Sequence, residues 1–479
     1  MTILLASAAA AGCLWLLVLG FETTLLAFVV VVPLLAWFQI HIPGVPWSLV
    51  PSALLAVLAY QAIRLRPAPG PARPAFGLTA VVLVYLAVVA AQTFSPGLPS
   101  VVIGIRGLRL IAEPMLLYFI GTEVARRPQL RRRMMVVILF TGVIVIGYGL
   151  KQWIGGFDRA ERIYYRHTFP IAIRERRISS TLFGATALGD YVALVIFVTM
   201  ARLVARGRAT AGSLALIAAA ILVVFLTGQR GVQISVLVAV GAAVSIAFLR
   251  PDARRPAARL GQVLFVVVVV AIAIAITTPT QDRRKASAAG QSALDAARIK
   301  LALLKEGSAE SSFQLRNERM TEVGHALATA PFGVGTGLNL LLDRNRSDHS
   351  TVLGAAGFGG PDYQPRLPPV PGELYYYNLA SELGLPGLVL WSALALFGIV
   401  TAGGVALRHP DREKAAFALV AMAYLLLIVI DSFTVDAMTT IQVSAWFWLL
   451  LGAVGRWGQE DRVPADGRSH RSSVTAGCA

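Results

Sequence analysis

Charge is scarce in this chain. Only 14% of its 479 residues are charged, against 56% that are hydrophobic, and a soluble protein of this length would need far more charge to cover its surface. Cysteine is nearly missing. Cys13 and Cys478 stand alone in the first apolar run and the last residues, which argues against both a disulfide framework and a metal cluster. The histidines at 41, 167, 325, 349, 409 and 470 are scattered, with no pair at metal-ligand spacing on one helix. There is no glycine-flanked nucleophilic serine, no dinucleotide fingerprint and no repeat of fixed period. The strict alternation of a transmembrane barrel is absent. No basic stretch precedes the first apolar run, so that run is expected to be retained rather than cleaved as a signal peptide.

What the chain does have is apolar runs long enough to cross a hydrocarbon core. They fall at 3–19, 22–40, 47–63, 76–94, 105–122, 134–150, 183–201, 211–227, 232–249, 261–278, 385–403, 415–431 and 438–455. The expected fold is an all-α polytopic bundle of thirteen spans, or of twelve if residues 3–40 hold one crossing and a re-entrant piece. Four regions follow: N-terminal spans over 1–278, an inserted domain over 279–384, C-terminal spans over 385–455, and a polar tail over 456–479 expected to be disordered. The insertion is expected to be mostly helical, with helices over Ala286 to Lys305 and Ser312 to Ala330.

The formal charge of +17 comes mostly from arginines spread over short loops. That distribution fits topogenic charge and argues against nucleic-acid binding. Five basic loops, near Arg64, Arg131, Arg206, Arg254 and Arg412, alternate with the spans. Placing them all in the cytoplasm implies a multi-pass protein of the cytoplasmic membrane, with 151–182 and 279–384 outside.

Arg159, Arg162, Arg166, Arg174, Arg176 and Arg177 then lie on the side that basic residues usually avoid. They form either a solvated loop with internal ion pairs or a phosphate-binding surface, since guanidinium offers a planar fork of donors that stays charged. Arg177 lies closest to the following span. Arg230 sits in the gap Thr227-Gly-Gln-Arg-Gly231 between two apolar runs. It either snorkels to the interface or meets an anion, with Gly228 and Gly231 letting backbone approach closely. In the insertion, Arg316 either pairs with a nearby glutamate or reaches the membrane surface. The run Pro331-Phe-Gly-Val-Gly-Thr-Gly337 suggests a turn with backbone exposed to a ligand or a close-packed helix. Glu373 is a candidate general base. Tyr375 to Tyr377 suit an interfacial belt or a sugar-stacking surface, and Glu382 suits a brace for the next helix.

Four of these features occur in an order that resembles the O-antigen ligase and polymerase family of membrane proteins. They are Arg177-Ile-Ser-Ser-Thr-Leu-Phe with Leu188-Gly-Asp-Tyr, Thr227-Gly-Gln-Arg230-Gly, Arg316 with the glycine run, and Tyr376 with Glu382-Leu-Gly-Leu-Pro-Gly387. The resemblance covers about 170–400 in motifs and the whole chain in span layout. It implies a glycosyltransferase outside the cytoplasmic membrane that ligates or polymerises glycans from a polyprenyl-diphosphate-linked donor onto a glycan or lipid-glycan acceptor. Membrane lipids would be further partners, and no cofactor or catalytic metal would be required. Arg177, Arg230 and Arg316 would hold the donor diphosphate, Tyr376 would contact substrate, and Glu373 would take the acceptor proton. Many family ligases carry a histidine–asparagine pair where this chain has Glu373-Leu374, which favours an exopolysaccharide or O-antigen polymerase. The rival expectations are a flippase or transporter of a lipid-linked sugar or other solute, and a non-enzymatic scaffold or sensor.

Overall fold

A computed structural model describes residues 18, 20–42, 45, 47–65, 77–98, 100–168, 172–173, 177–207, 210–251, 254, 257–258, 261–262, 321, 323–337 and 374–460. The described residues form helices and turns, with no strand among them. The helices are α1 (Phe21–His41), α2 (Val50–Arg64), α3 (Leu78–Gln92), α4 (Val101–Arg126), α5 (Pro128–Gly155), α6 (Arg159–Thr168) and α7 (Ala185–Arg206). After these come α8 (Ala211–Leu226), α9 (Arg230–Leu249), α10 (Tyr375–Glu382), α11 (Gly384–Arg408), α12 (Arg412–Asp431) and α13 (Ile441–Glu460). A helix therefore stands at each apolar run read from the sequence except 3–19 and 261–278, which lie wholly or almost wholly outside the described residues. Residues 323–329 are helical, inside the segment expected to be a helix over Ser312 to Ala330, whereas Ala286 to Lys305 lies outside the described residues.

Six helices, α1, α5, α7, α9, α11 and α12, are long and apolar enough to cross a membrane, which marks a multi-pass membrane protein. Helices α2, α3 and α8 are apolar but shorter. Polar residues set the breaks. Ser100, Thr210 and Asp411 cap α4, α8 and α12 with their side chains, and Gly207 closes α7 in the left-handed region at φ 65°.

Helix α7 is the innermost span, 89% buried along its apolar window, and α12 follows at 72%; the other four long spans are 33–44% buried and keep a lipid-facing side. Tight contacts rest on small residues, as expected where helices associate in lipid. A side chain at Gly121 would strike the Leu449 carbonyl, and one at Gly452 would strike that of Tyr118, so α4 and α13 run backbone against backbone.

The helices alternate in direction, which sorts the connections onto two ends. At one end Arg127 and Arg133 pair with Glu22 at 3.5 and 3.1 Å. There too Arg131 and Lys414 lie over the Trp457 ring, and Arg250 donates to the carbonyls of Ala406 and His409. At the opposite end lie residues 156–168, 172–173, 177–184, 227–230, 331–337, 374–384 and 432–440, and the sequence-derived candidates that the structure describes are among them.

Candidate functional site

Arg177 starts a loop that is held from beneath. The buried side chain of Gln152, near the end of α5, accepts from the backbone N–H groups of Ser179 and Ser180 at 3.1 and 2.7 Å. It donates to the Ser180 carbonyl at 3.2 Å and to Glu161 at 2.6 Å. Ser180 sits at φ 53°, with its hydroxyl donating to the Val145 carbonyl at 2.6 Å, and Thr181 donates to the Pro33 carbonyl at 2.8 Å. The serines and threonine of the Arg177 motif are thus buried structural polar groups. They fix the base from which the half-buried Arg177 side chain extends.

That side chain reaches the turn between α8 and α9. A Cβ built on Gly228 would sit 3.7 Å from Arg177 Cγ and 3.8 Å from Nε. The turn exists because Thr227 folds its hydroxyl onto the Val224 carbonyl at 2.7 Å and accepts from Gln229 N–H at 3.2 Å. Gly228 then reverses the chain at φ 68°, a region costly for a residue with a Cβ. Arg230 follows as the first residue of α9, half-buried. Gln229, at the cap position, makes no side-chain bond to the first amides of α9, so the positive end of the helix dipole joins the two guanidinium groups.

On its other side the turn rests on the connection between α12 and α13. A side chain at Gly231 would overlap the Thr434 hydroxyl, and that hydroxyl donates to Asp431 Oδ1 at 2.9 Å. Phe433, next in the chain, packs against Tyr376 with ring centroids 4.2 Å apart. Burial pushes the Tyr376 phenol up to about 12, so it stays protonated and donates to the Val429 carbonyl at 3.4 Å. Arg177, Arg230 and Tyr376 are thereby linked through one contiguous set of turns. Arg316 and Glu373 lie outside the described residues.

The glycine run has a different use from ligand binding. Residues 331–337 thread between the α3–α4 connection and the α10–α11 junction. Val334 N–H donates to the Ser381 carbonyl at 2.8 Å, Gly335 N–H to that of Glu382 at 3.1 Å, and Thr336 N–H to that of Gln92 at 3.3 Å. A side chain at Gly333 would strike Glu382, and one at Gly335 would strike Leu98. Neither sequence reading holds as it stood: residues 331–337 are turns rather than a helix, and their backbone is close-packed, with these amides already spent on backbone carbonyls. Glu382 is buried, and its carbonyl supports this threaded segment.

Sequence reasoning missed a pair of acidic residues. Asp190 on α7 and Asp431 at the end of α12 are both fully buried and lie within electrostatic reach of one another. Neither oxygen of Asp190 has a hydrogen-bond partner among the described residues. The available signal was one acidic residue inside each otherwise apolar run. Asn378 was missed as well: it is buried, donates to Asp436 at 2.6 Å, and leaves its Oδ1 without a partner among the described residues. A buried oxygen left so costs about 1–3 kcal/mol.

No family model matches this chain, and no curated protein matches it significantly.

Proposed function

We propose that this protein is an integral membrane glycosyltransferase that uses a polyprenyl-diphosphate-linked oligosaccharide, more specifically a polymerase of an exported polysaccharide. The observation that carries the reading is the convergence of Arg177 on the turn that presents Arg230 at the N-terminus of α9. Two guanidinium groups and a helix dipole at one mouth of a helical bundle suit a diphosphate whose lipid tail stays in the membrane. The basic connections collect at the opposite end. Under the positive-inside rule this supports a reading in which that end faces the cytoplasm and the two arginines face the outer side of the cytoplasmic membrane.

In the proposed reaction the acceptor hydroxyl oxygen attacks the anomeric carbon of the donor. The bond from that carbon to the diphosphate oxygen breaks, and polyprenyl diphosphate departs with the bonding electrons. Glu373 takes the hydroxyl proton. Charge grows on the leaving diphosphate, so donors fixed in advance by Gln152 and by the Gly228 turn stabilise the transition state more than the ground state.

The test is purified protein in lipid nanodiscs, supplied with the lipid-linked oligosaccharide that accumulates in cells lacking the gene. Longer glycans and free polyprenyl diphosphate are expected. Arg230→Ala should reduce transfer by roughly 10²–10³-fold, the loss typical of one such donor. Arg230→Lys should recover little, because a point charge does not replace the fork. Full activity in Arg230→Ala would remove this residue from the reaction.

One observation favours a second reading. The buried pair Asp190 and Asp431 lies on the two most buried of the six long apolar helices, and acidic groups within membrane spans commonly serve ion or proton pathways. A transporter of the same lipid-linked sugar would move it between the leaflets of a vesicle with no bond broken, and the same preparation distinguishes the two outcomes.

A further inference from the structure

The 432–440 connection has two faces. Thr434 meets the arginine turn on one, and Asp436 meets Asn378 on the other. Beside Asn378 a narrow cleft opens between α4, α10, the turn at 438–439 and α13. Its walls differ in chemistry. Helix α4 supplies only apolar side chains, while Tyr375 and Trp448 add aromatic rings and Asn378, Glu382, Thr439 and Ser444 add polar groups.

We propose that this cleft receives the sugar ring bearing the attacking hydroxyl, with Asn378 and Glu382 as its binding residues. The proposal rests on the transferase reading. A sugar presents apolar C–H faces and a rim of hydroxyls, and an aromatic wall beside an amide, a carboxylate and two hydroxyls matches both. Asn378 is held by Asp436 through Nδ2, so its orientation is fixed, and its Oδ1 has no hydrogen-bond partner among the described residues. Glu382 is only 4% exposed and is anchored by its own carbonyl to the threaded segment. Charge separates the two substrates. A cleft lined by Glu382, with Asp436 behind Asn378, repels a diphosphate and accepts a neutral sugar, whereas the arginine turn does the reverse. Thr434 and Asp436 lie two residues apart, so one short connection holds both halves of the reaction.

The experiment uses Asn378→Ala and the isosteric Glu382→Gln, with Thr439→Val as a milder third variant should either fail to fold. The donor is the accumulated lipid-linked oligosaccharide, and the added acceptor is the same oligosaccharide freed of lipid by mild acid. The KM for the freed acceptor should rise at least tenfold, while binding of polyprenyl diphosphate stays within twofold of the wild type. Unchanged acceptor KM in every folded variant overturns the proposal, as does an equal loss of diphosphate binding. If the wild type transfers nothing, saturation-transfer NMR with the freed oligosaccharide decides. Binding that Asn378→Ala removes would keep the cleft as a saccharide site while the transferase reading falls. No binding to the wild type would overturn the cleft too.

Discussion

At the scale of single residues, the glycines next to Arg230 have unequal jobs. Gly231 and Gly241 lie on the same helix, yet a Cβ at Gly231 would overlap Thr434 whereas one at Gly241 would meet none of the described residues within 4 Å. Gly231→Ala should therefore displace the arginine turn, lowering both transfer and the melting temperature of the purified protein. Gly241→Ala should be neutral or stabilising by up to about 1 kcal/mol. Equal behaviour of the two variants would contradict the packing described. The sequence identified Arg177 and Arg230 because charge between apolar runs stands out, but their nearness was not legible. It depends on Gln152, a residue with no motif of its own. Asp190 and Asp431 escaped notice for a related reason: each is a single acidic residue, and only the packing of α7 on α12 makes them a pair.

Asp158 gives a residue-scale dependence on pH. Burial raises its carboxyl, but a backbone bond from Glu161 and the neighbouring His41 and Lys151 outweigh that and hold it below the usual carboxylate value. With the folded value depressed, the stabilisation is present above the unfolded value of about 3.9 and is lost as pH falls through the lower folded value. The link between the start of α6 and the end of α1 should weaken in acid accordingly. The melting-temperature gap between wild type and Asp158→Asn should shrink as pH is lowered from 6 to 3, and a gap independent of pH would count against the assignment.

At the scale of elements, helix positions were readable because lipid demands long uninterrupted apolar runs, and the breaks carry capping side chains and glycines. The threaded segment was readable only in part. Alternating glycines announced close approach, yet nothing in the sequence named the partners, because these contacts run between backbones far apart in the chain. Gly107 shows how tight the fit is: a side chain there would strike residues 336–337. Gly107→Val should expel the segment. Thr336 is fully buried, so a cysteine at 336 should resist a maleimide in the parent protein and react in the Gly107→Val background. Resistance in both would show that the segment does not depend on that contact.

At the scale of the whole molecule, the charge layout and the site occupy opposite ends. In a variant lacking Cys13 and Cys478, a cysteine replacing the exposed Phe94 should react with an impermeant maleimide added to intact cells. One replacing Gly207 should react only after the membrane is opened. The reverse pattern would place the arginine turn in the cytoplasm and end the proposed reaction outside. The domain borders read from composition at 279 and 384 describe the chain, but the packing crosses them. Residues 331–337 belong to the insertion by position and to the bundle by contact.

That crossing constrains biogenesis. Helices α3 and α4 emerge from the ribosome long before residues 331–337, and α10 and α11 only afterwards. The segment can meet the α3–α4 connection as soon as it emerges, and its second wall forms only when α10 and α11 follow. Closure of the bundle is then a final latch, and a nascent chain stalled short of it would display a bare seam to chaperones and quality-control proteases.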